Sequence, residues 1–412
     1  MMEMKRYKLS EIASFIGSGM TPLRSNEKYW NSKDYPWLKT EQLGEYQIFD
    51  TNEYISKVAL EETNLKLFPK KTLSVAMYGE GKTRGNVSIL AEQMTTNQAC
   101  CNIIVDNKFA NYKFVYYWLK NSYYKLRSLS SGIRNNLNTE DIKKFEINLP
   151  SLPTQQKIAA ILSSLDDKIA LNKKINAKLE AMVKRLYDYW FVQFDYPDKN
   201  GKPYKTSGGK MVWNEVLKRK IPEGWEVGNL YEIADYINGL ACQNYRPQDE
   251  EIFLPVIKIK EMHEGITSDT EKVSATIPEK YIIFDGDILF SWSATLEVMI
   301  WTGGKGGLNQ HIFKVVPKSY FTKEYVFQQL SSYIVNFQKM AEARKTTMGH
   351  ITSDHINQSR IVIPPKEVIN AFSEKTLPIF NYQLTIQKEI QKLTSMRDRL
   401  LPLLMNGQVE VE

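Results

Sequence analysis

Apolar side chains recur at three- and four-residue steps along two long stretches of the chain, and each stretch predicts an amphipathic helix. The first runs from residue 154 to residue 194 without proline or glycine, and Thr154 after Pro153 is the predicted N-cap. The second ends at Asn406-Gly407, a typical helix stop. Pro378 and Pro402 interrupt its ends, which predicts a shorter or kinked helix.

A helix of about 40 residues is about 60 Å long, and a single apolar seam of that length needs a partner helix. We therefore predict that the two helices pair with each other in antiparallel orientation. The predicted pairing positions are Ile158, Leu162, Leu165, Ile169, Leu179, Met182, Leu186, Leu384, Ile390, Leu393 and Leu400.

Shorter patterns fill the rest of the chain. The runs TLSVAMY, CCNIIV, YIIFDGDILF and HIFKVV are rich in β-branched and aromatic residues and predict strands. The runs NYKFVYYWLKNSYYKL and KEYVFQQLSSYIVNFQKM have helical periodicity. Each long helix is therefore preceded by a globular region of mixed strands and helices.

The two halves repeat each other. LSEIASFI at residues 9–16 matches LYEIADYI at residues 230–237, and LNTEDIKKFEINLP at 137–150 matches ITSDHINQSRIVIP at 351–364. Between them TNQA matches LNQH, and FVYYWL matches YVFQQL, in the same order and with similar offsets. Ordered matches of this kind indicate an internal duplication.

The duplication predicts an α+β protein in which two mixed α/β globular domains are joined by two long antiparallel helices in a coiled coil. The predicted boundaries are residues 1–150 for the first domain, 151–195 for the central helix, 223–364 for the second domain and 365–412 for the C-terminal helix. Residues 196–222 hold several prolines, glycines and lysines, and they are predicted to be a linker.

Composition and charge narrow the class of protein. The 412 residues carry a net charge of +7, with 42% hydrophobic and 25% charged side chains, as in an ordinary folded protein. No apolar run approaches the length that spans a bilayer, the N-terminal residues lack a signal-peptide pattern, and three cysteines do not form a disulfide framework. These features predict a cytoplasmic protein.

The charge is unevenly distributed along the chain. Residues 1–150 carry 21 basic and 16 acidic side chains, whereas residues 221–365 carry 13 basic and 18 acidic ones. A basic excess suited to DNA therefore lies in the first half.

Motifs for catalysis are incomplete. FIGSG at residues 15–19 fits a pattern by which adenine methyltransferases approach S-adenosylmethionine, but the second copy has YINGL there, and no Asp- or Asn-Pro-Pro-aromatic tetrapeptide occurs. GEGKTRG lacks the first glycine of a P-loop, and the four histidines lack metal-ligand spacing. No nucleophile is paired with a base, and metal ligation is not predicted.

Polar, glycine-containing loops remain as the candidate binding surface. Arginine and asparagine can contact base edges, while lysine, serine and threonine suit phosphates. The candidate DNA-binding residues are Tyr78, Lys82, Thr83, Arg84, Arg134, Asn135, Asn136, Ser291, Trp292, Ser293, Lys305, Asn309, Arg344, Lys345 and Thr346.

The order of these features resembles the specificity subunits of type I restriction–modification systems. The resemblance covers nearly the whole chain and rests on INLPSLPTQQKIAAILSSLDDKIALNKKINAKLEAM, on the segment from LYDYWF to YINGLA, and on MRDRLLPLLMNGQVEV.

The resemblance implies that each globular domain is a target recognition domain reading one half of a split site in double-stranded DNA. The helices would act as a spacer and bind two modification subunits, with restriction motor subunits joining indirectly and no membrane involved. S-adenosylmethionine, ATP and Mg²⁺ would bind partner subunits, so this chain would bind no cofactor and perform no catalysis. A stand-alone adenine methyltransferase and a coiled-coil scaffold without a DNA role stay open as alternatives.

Overall fold

The computed structural model describes residues 3–79, 81–129, 136–293, 295–343 and 351–409. The chain folds as two units. Unit 1 comprises Met1–Ala170 and Lys392–Glu412, and unit 2 comprises Leu171–Gln391. The predicted boundaries set each long helix apart from the globular domains, whereas each unit here includes parts of both helices.

Unit 1 is built on a five-stranded sheet in the order β2-β9-β6-β7-β4, with a three-stranded sheet β5-β3-β8 and a β1-β10 pair. Its elements are β1 (Lys5–Lys8), α1 (Leu9–Ile12), β2 (Ala13–Ser18), β3 (Tyr35–Leu38), β4 (Gln47–Ile48), β5 (Glu53–Ile55), α2 (Lys57–Glu62), β6 (Leu73–Ala76), β7 (Val87–Leu90), β8 (Thr95–Thr96), β9 (Cys100–Val105), α3 (Tyr112–Asn121), α4 (Tyr123–Ser128), α5 (Thr139–Lys144) and β10 (Glu146–Leu149). The first long helix, α6 (Leu152–Tyr187), follows.

Unit 2 has two four-stranded sheets, β14-β21-β18-β19 and β16-β15-β20-β17, with β13-β22 and β11-β12 pairs. Its elements are β11 (Met211–Asn214), β12 (Arg219–Pro222), β13 (Glu226–Gly228), α7 (Leu230–Ile233), β14 (Ala234–Asn238), β15 (Phe253–Ile257), α8 (Ile259–Glu264), β16 (Lys272–Ser274), β17 (Ile282–Ile283), β18 (Ile288–Ser291), β19 (Glu297–Ile300), β20 (Gly306–Leu308), β21 (Ile312–Pro317), α9 (Lys323–Ala343), α10 (Ser353–Asn357) and β22 (Ile361–Ile363). The second long helix, α11 (Lys366–Met405), completes the chain's elements.

The two units repeat one topology, which confirms the duplication. The order β2-β9-β6-β7 of unit 1 recurs as β14-β21-β18-β19 in unit 2. One detail differs from the sequence alignment, because β2 has a bulge between Ala13 and Phe15 that β14 lacks. The bulge absorbs one residue, so Ile16 rather than Phe15 takes the ladder position of Tyr236.

A glycine lies after the first sheet strand in both units, where two backbones meet. A Cβ on Gly19 would lie 2.1 Å from the Thr96 carbonyl oxygen, and one on Gly239 would lie 2.1 Å from the Asn309 carbonyl oxygen. Packing of two backbones therefore accounts for this glycine of FIGSG.

Gly19→Ala should destabilise unit 1 by about 3 kcal/mol, because the new methyl group overlaps backbone that cannot move aside. Gly17→Ala is the matched control, since its Cβ would meet only the tip of the Phe15 ring, which can rotate; a cost below about 1 kcal/mol is expected. Urea unfolding followed by tryptophan fluorescence measures both. Equal costs for the two variants would contradict the backbone-contact explanation.

The long helices begin and end differently from the prediction. Helix α6 starts at Leu152, and the Thr154 N–H approaches the Ser151 hydroxyl at 3.4 Å, so Ser151 rather than Thr154 precedes the helix as its cap. Helix α6 continues directly as a π-helical turn, Asp188–Val192, so the first helical stretch spans residues 152–192, and α11 with 40 residues is of nearly the same length. Pro378 is exposed, so water can hydrate the carbonyl that loses its donor there. Gly407, with φ +67°, ends the region as predicted.

The helices pair antiparallel within each unit, as predicted. In unit 1, Asp166 of α6 contacts Arg397 of α11. In unit 2, Asn172 donates to Glu389 at 2.9 Å and Tyr187 packs on Phe372 with ring centroids 6.4 Å apart. Rising residue numbers in α6 therefore meet falling numbers in α11.

Most predicted pairing residues lie in or beside these seams. Ile158, Leu162 and Ile169 are buried. Those partly buried are Leu165, Leu179, Leu186, Leu384, Ile390, Leu393 and Leu400. Met182 is the exception: it is 55% exposed, and Val183 is buried in its place. The three- and four-residue spacing of the apolar positions is compatible with either Met182 or Val183 facing the seam.

The predicted linker is instead a packed part of unit 2. Tyr196 stacks on Tyr204 at 4.8 Å and packs on Trp225 at 5.0 Å. The Asp195 carboxylate accepts hydrogen bonds from the backbone N–H and hydroxyl of Thr206 at 2.7 and 2.6 Å. The aromatic residues of this segment anchor it to the core. The proline and glycine content of the segment predicts a linker and does not reveal this packing.

Candidate nucleic-acid interface

The structure brings two predicted loops together at the same place in each unit. In unit 1 the Leu137 N–H donates to the Met77 carbonyl at 3.1 Å, and in unit 2 the Ile351 N–H donates to the Trp292 carbonyl at 3.0 Å. Met77 directly follows β6, and Trp292 directly follows β18, its counterpart. In each unit a polar loop therefore follows the matching strand, β6 or β18. A backbone hydrogen bond holds the start of this loop against the segment that precedes a short helix, α5 or α10.

In unit 1 helix α4 holds the β6–β7 loop through backbone carbonyls. The Arg127 guanidinium donates to the carbonyls of Arg84 at 2.8 Å and Gly81 at 2.9 Å. The Tyr123 hydroxyl donates to the Lys82 carbonyl at 2.8 Å. Gly85, with φ +88°, leaves room for this contact, because its Cβ would lie 3.0 Å from Arg127 Cγ. The carbonyl oxygens of the loop thus point toward α4.

Between α4 and this loop lies an open cavity of about 600 Å³. Three of its lining side chains are cationic, and no lining residue in this part of the described chain is acidic. The lining residues are Gly44, Gly81, Lys82, Gly85, Asn86, Val87, Lys120, Tyr123, Tyr124 and Arg127. Such a surface suits an anion flanked by flat aromatic faces.

Lys120 has an unusual setting at this cavity. Its ammonium group lies 3.4 Å from the Tyr116 hydroxyl. Burial, followed by the nearby Arg397 charge, lowers the pKa of Lys120, although Asp166 and Glu45 act in the opposite direction. An anion entering the cavity would favour the charged amine.

The predicted residues of unit 1 lie on or next to the loop. Tyr78 and Lys82 are exposed, while Thr83, Arg84 and Asn136 are partly buried. Arg134 and Asn135 lie outside the described residues and stay predictions. Of the described candidates, Lys82 lines the cavity.

The predicted residues of unit 2 need correction. Ser291 and Ser293 are buried, with the Ser291 hydroxyl donating to the Ser293 carbonyl at 3.2 Å. Asn309 is also buried, and its side-chain oxygen accepts from the His311 N–H. These three side chains serve the fold and are not presented to a ligand.

The other unit 2 candidates are dispersed. Trp292 is partly buried, and its indole donates to Asn238 at 3.0 Å. Lys305 is exposed on a turn beside Gly304, whose N–H donates to Asp285. Arg344, Lys345 and Thr346 lie outside the described residues.

Sequence reasoning missed the four residues of α3 and α4 that shape the cavity: Lys120, Tyr123, Tyr124 and Arg127. Lys120, Tyr123 and Tyr124 lie in NYKFVYYWLKNSYYKL, and Arg127 follows it directly; the periodicity of this run predicts only an amphipathic helix. A signal was present, because Tyr124 is 83% exposed and a tyrosine pair followed by Lys-Leu-Arg is unusual on a purely solvated face. Aromatic residues interleaved with cations are typical of nucleic-acid surfaces.

Other kinds of site find no support in the described ranges. No group of His, Cys, Asp and Glu there could hold a metal ion. No described helix is both long enough and apolar enough to cross a membrane. Burial raises the pKa of Cys100 and of Cys101 to about 12, so these thiols stay protonated and unreactive at neutral pH.

Comparison with known proteins identifies one family. The model of the type I restriction modification DNA specificity domain matches residues 1–181 and again residues 222–396. The specificity subunit of the type I restriction enzyme MjaIX from Methanocaldococcus jannaschii is 28% identical, over 98% of this chain and 93% of that protein. The HindI specificity subunit from Haemophilus influenzae is 26% identical, over 70% of this chain and 74% of that protein.

The fold also has a solved counterpart. A type I restriction–modification S subunit from M. genitalium superposes with a TM-score of 0.60 at 14% identity, over 98% of this chain and 96% of that one. At this identity the similarity supports the fold alone.

Proposed function

Because this chain belongs to the family of type I restriction modification DNA specificity domains, we propose that each of its units reads one half of a bipartite DNA site. The observation that carries the proposal is the repeated loop arrangement, with Leu137 bound to Met77 in unit 1 and Ile351 bound to Trp292 in unit 2. Two copies of one reading surface, each with its own loop residues, suit an asymmetric split target. Linking two such readers also raises affinity through effective concentration.

The helices α6 and α11 are proposed to set the spacing between the half-sites and to bind modification subunits, two per chain. A long paired helix suits a spacer, because its length is fixed by regular backbone geometry. S-adenosylmethionine, ATP and Mg²⁺ are expected on partner subunits rather than here. Specificity subunits supply recognition and not catalysis, so the methyl transfer belongs to the partner.

Methylome sequencing of a host that expresses this chain with its modification subunit tests the proposal. Residues 1–150 are exchanged for the matching segment of a relative with another target, and residues 223–364 are exchanged in a parallel variant. We expect methylated adenines in a split motif, with the first exchange altering one half and the second altering the other.

Two outcomes would contradict this reading. A motif that changes in both halves after either exchange would mean that the units do not read independently. Absence of any methylated motif, together with absence of salt-sensitive DNA binding, would favour a scaffold. Binding of S-adenosylmethionine by the isolated chain would instead favour a stand-alone methyltransferase.

A further inference from the structure

Helix α9 of unit 2 is the structural counterpart of α3 and α4, which line the cavity in unit 1, and the correspondence can be fixed by buried residues. Phe114, Val115, Leu119 and Leu126 of α3 and α4 are fully buried. Residues of α9 at a constant offset are also fully buried: Tyr325, Val326, Leu330 and Phe337. The helical surfaces can therefore be compared position by position.

The cations of the cavity are absent from these matched positions. With the same offset, Lys120 corresponds to Ser331 and Arg127 to Gln338. Tyr123 corresponds to Ile334, and Tyr124 to Val335, which is exposed like Tyr124. The helix of unit 2 thus keeps the exposure pattern but loses both positive charges.

The strand residues at the matched positions also become less favourable to an anion in unit 2. In unit 1, Val75 of β6 pairs with Val87 of β7, and Asn86 precedes that pair. In unit 2, Phe290 of β18 pairs with Val298 of β19, and Glu297 precedes that pair. The neutral amide of Asn86 is therefore replaced by the carboxylate of Glu297, which would repel an anion.

We propose that unit 1 binds a DNA backbone phosphate in the cavity beside Lys120 and Arg127, and that unit 2 has no such phosphate site at the equivalent position. The proposal rests on the proposed function, because it assumes that both units meet DNA. The two readers would then differ in their electrostatic contribution, because unit 1 gains affinity from this phosphate contact and unit 2 does not.

The hydrogen bonds of the loop support a phosphate site. The carbonyls of Gly81, Lys82 and Arg84 already accept hydrogen bonds from Tyr123 and Arg127. These hydrogen bonds offset part of the negative charge of the carbonyl oxygens, which reduces their repulsion of an anion in the cavity. The lowered pKa of Lys120 agrees with a cation that lacks full compensation in the free protein.

The test measures how DNA affinity of the full chain depends on salt. A labelled duplex carrying the methylation motif is titrated by fluorescence anisotropy at several concentrations of KCl. Lys120→Gln leaves the Arg127 contacts in place and should reduce the magnitude of the slope of log affinity against log salt by about 0.9, the value for one phosphate. Lys108→Gln is the matched control, because Lys108 is an exposed lysine of the same unit, and its slope should equal that of the wild type.

A second variant tests the proposed difference between the units. Ser331→Lys combined with Glu297→Asn restores one of the two cations and the neutral amide at the matched positions of unit 2, and it should increase the magnitude of the slope by about 0.9. Equal slopes for Lys120→Gln, Lys108→Gln and the wild type would overturn the phosphate site while leaving DNA reading intact. Loss of salt-dependent binding in the wild type itself would reject the proposed function instead.

Discussion

Deleting Lys392–Glu412 is expected to unfold unit 1 and to leave unit 2 folded. Leu401, Leu404 and Met405 are buried in the same core cluster as Ile158 and Leu162. Loss of each large core side chain costs about 2–5 kcal/mol, and the sum for these three approaches or exceeds the roughly 5–15 kcal/mol that stabilises a whole domain. Hydrogen exchange read by mass spectrometry should show β9 unprotected and β21 protected.

The control for this deletion removes only the residues after Gln408, beyond the glycine that ends α11. It should leave exchange in both units unchanged, because Gln408 still donates to the Leu403 carbonyl. Retained protection of β9 in the longer deletion would mean that unit 1 is stable without the C-terminal helix.

Asp166→Ala is expected to destabilise unit 1 by about 3 kcal/mol, because Arg397 loses its buried counter-ion and keeps only its ion pair with the more exposed Asp398, at 2.7 Å. Asp166 is 2% exposed. Its two oxygens accept hydrogen bonds from Arg397 and from the Tyr117 hydroxyl, each at 2.7 Å. Burial and the Asp166 charge raise the pKa of Tyr117 well above its ordinary value, so the hydroxyl remains a donor. Chemical denaturation of unit 1 measures the loss.

Two further variants test whether the Asp166–Arg397 ion pair accounts for the loss of stability. Asp167→Ala removes a neighbouring carboxylate that is 56% exposed and lies 3.9 Å from Lys113, so a change within about 0.5 kcal/mol is expected. The double variant Asp166→Leu with Arg397→Leu should recover most of the stability, because no buried charge is left unpaired. A double variant as unstable as Asp166→Ala would show that packing, and not the ion pair, is responsible.

The network around Asp166 connects a recognition element to the helix pair. Tyr117 belongs to α3, the helix that continues through Ser122 to the cavity residues of α4, while Arg397 belongs to α11. A buried polar contact tolerates few alternative partners, so it fixes the orientation of α3 on the helix pair more strictly than apolar packing does. The positions of the cavity and of the helix pair are thereby coupled within unit 1.

Periodicity predicted the elements and the duplication because both depend on local or repeated patterns. The strands around Leu73–Ala76 and Cys100–Val105 and the two long helices follow from the spacing of apolar residues. Three predictions failed where tertiary packing decides the outcome. The exposed Pro378 is tolerated inside α11, the aromatic residues of 196–222 dock on a core, and a bulge at Ala13–Phe15 shifts the alignment by one residue.

The candidate site was predicted only in part for a related reason. The loop containing Lys82 and Arg84 was identified from its composition, and the structure places it at the cavity. Arg127 was missed because its role arises from a contact across 43 residues with the Arg84 carbonyl, which no local pattern encodes. Ser291 and Asn309 were selected as polar loop residues, yet burial makes them structural. Polarity alone does not separate a hydroxyl that meets a ligand from one that satisfies a buried backbone.

Unit 1 is built from two segments that are distant in sequence, Met1–Ala170 and Lys392–Glu412. This has a consequence for its synthesis on the ribosome. Residues are added at about 5–20 per second, so roughly 10 to 40 s separate Ala170 from Lys392. During that interval the apolar face around Ile158 and Leu162 lacks the side chains that cover it in the finished protein, whereas every residue of unit 2 is made before the last segment. A message that lacks the codons for Lys392–Glu412 therefore yields a protein in which the domain synthesised first is the one left unfinished.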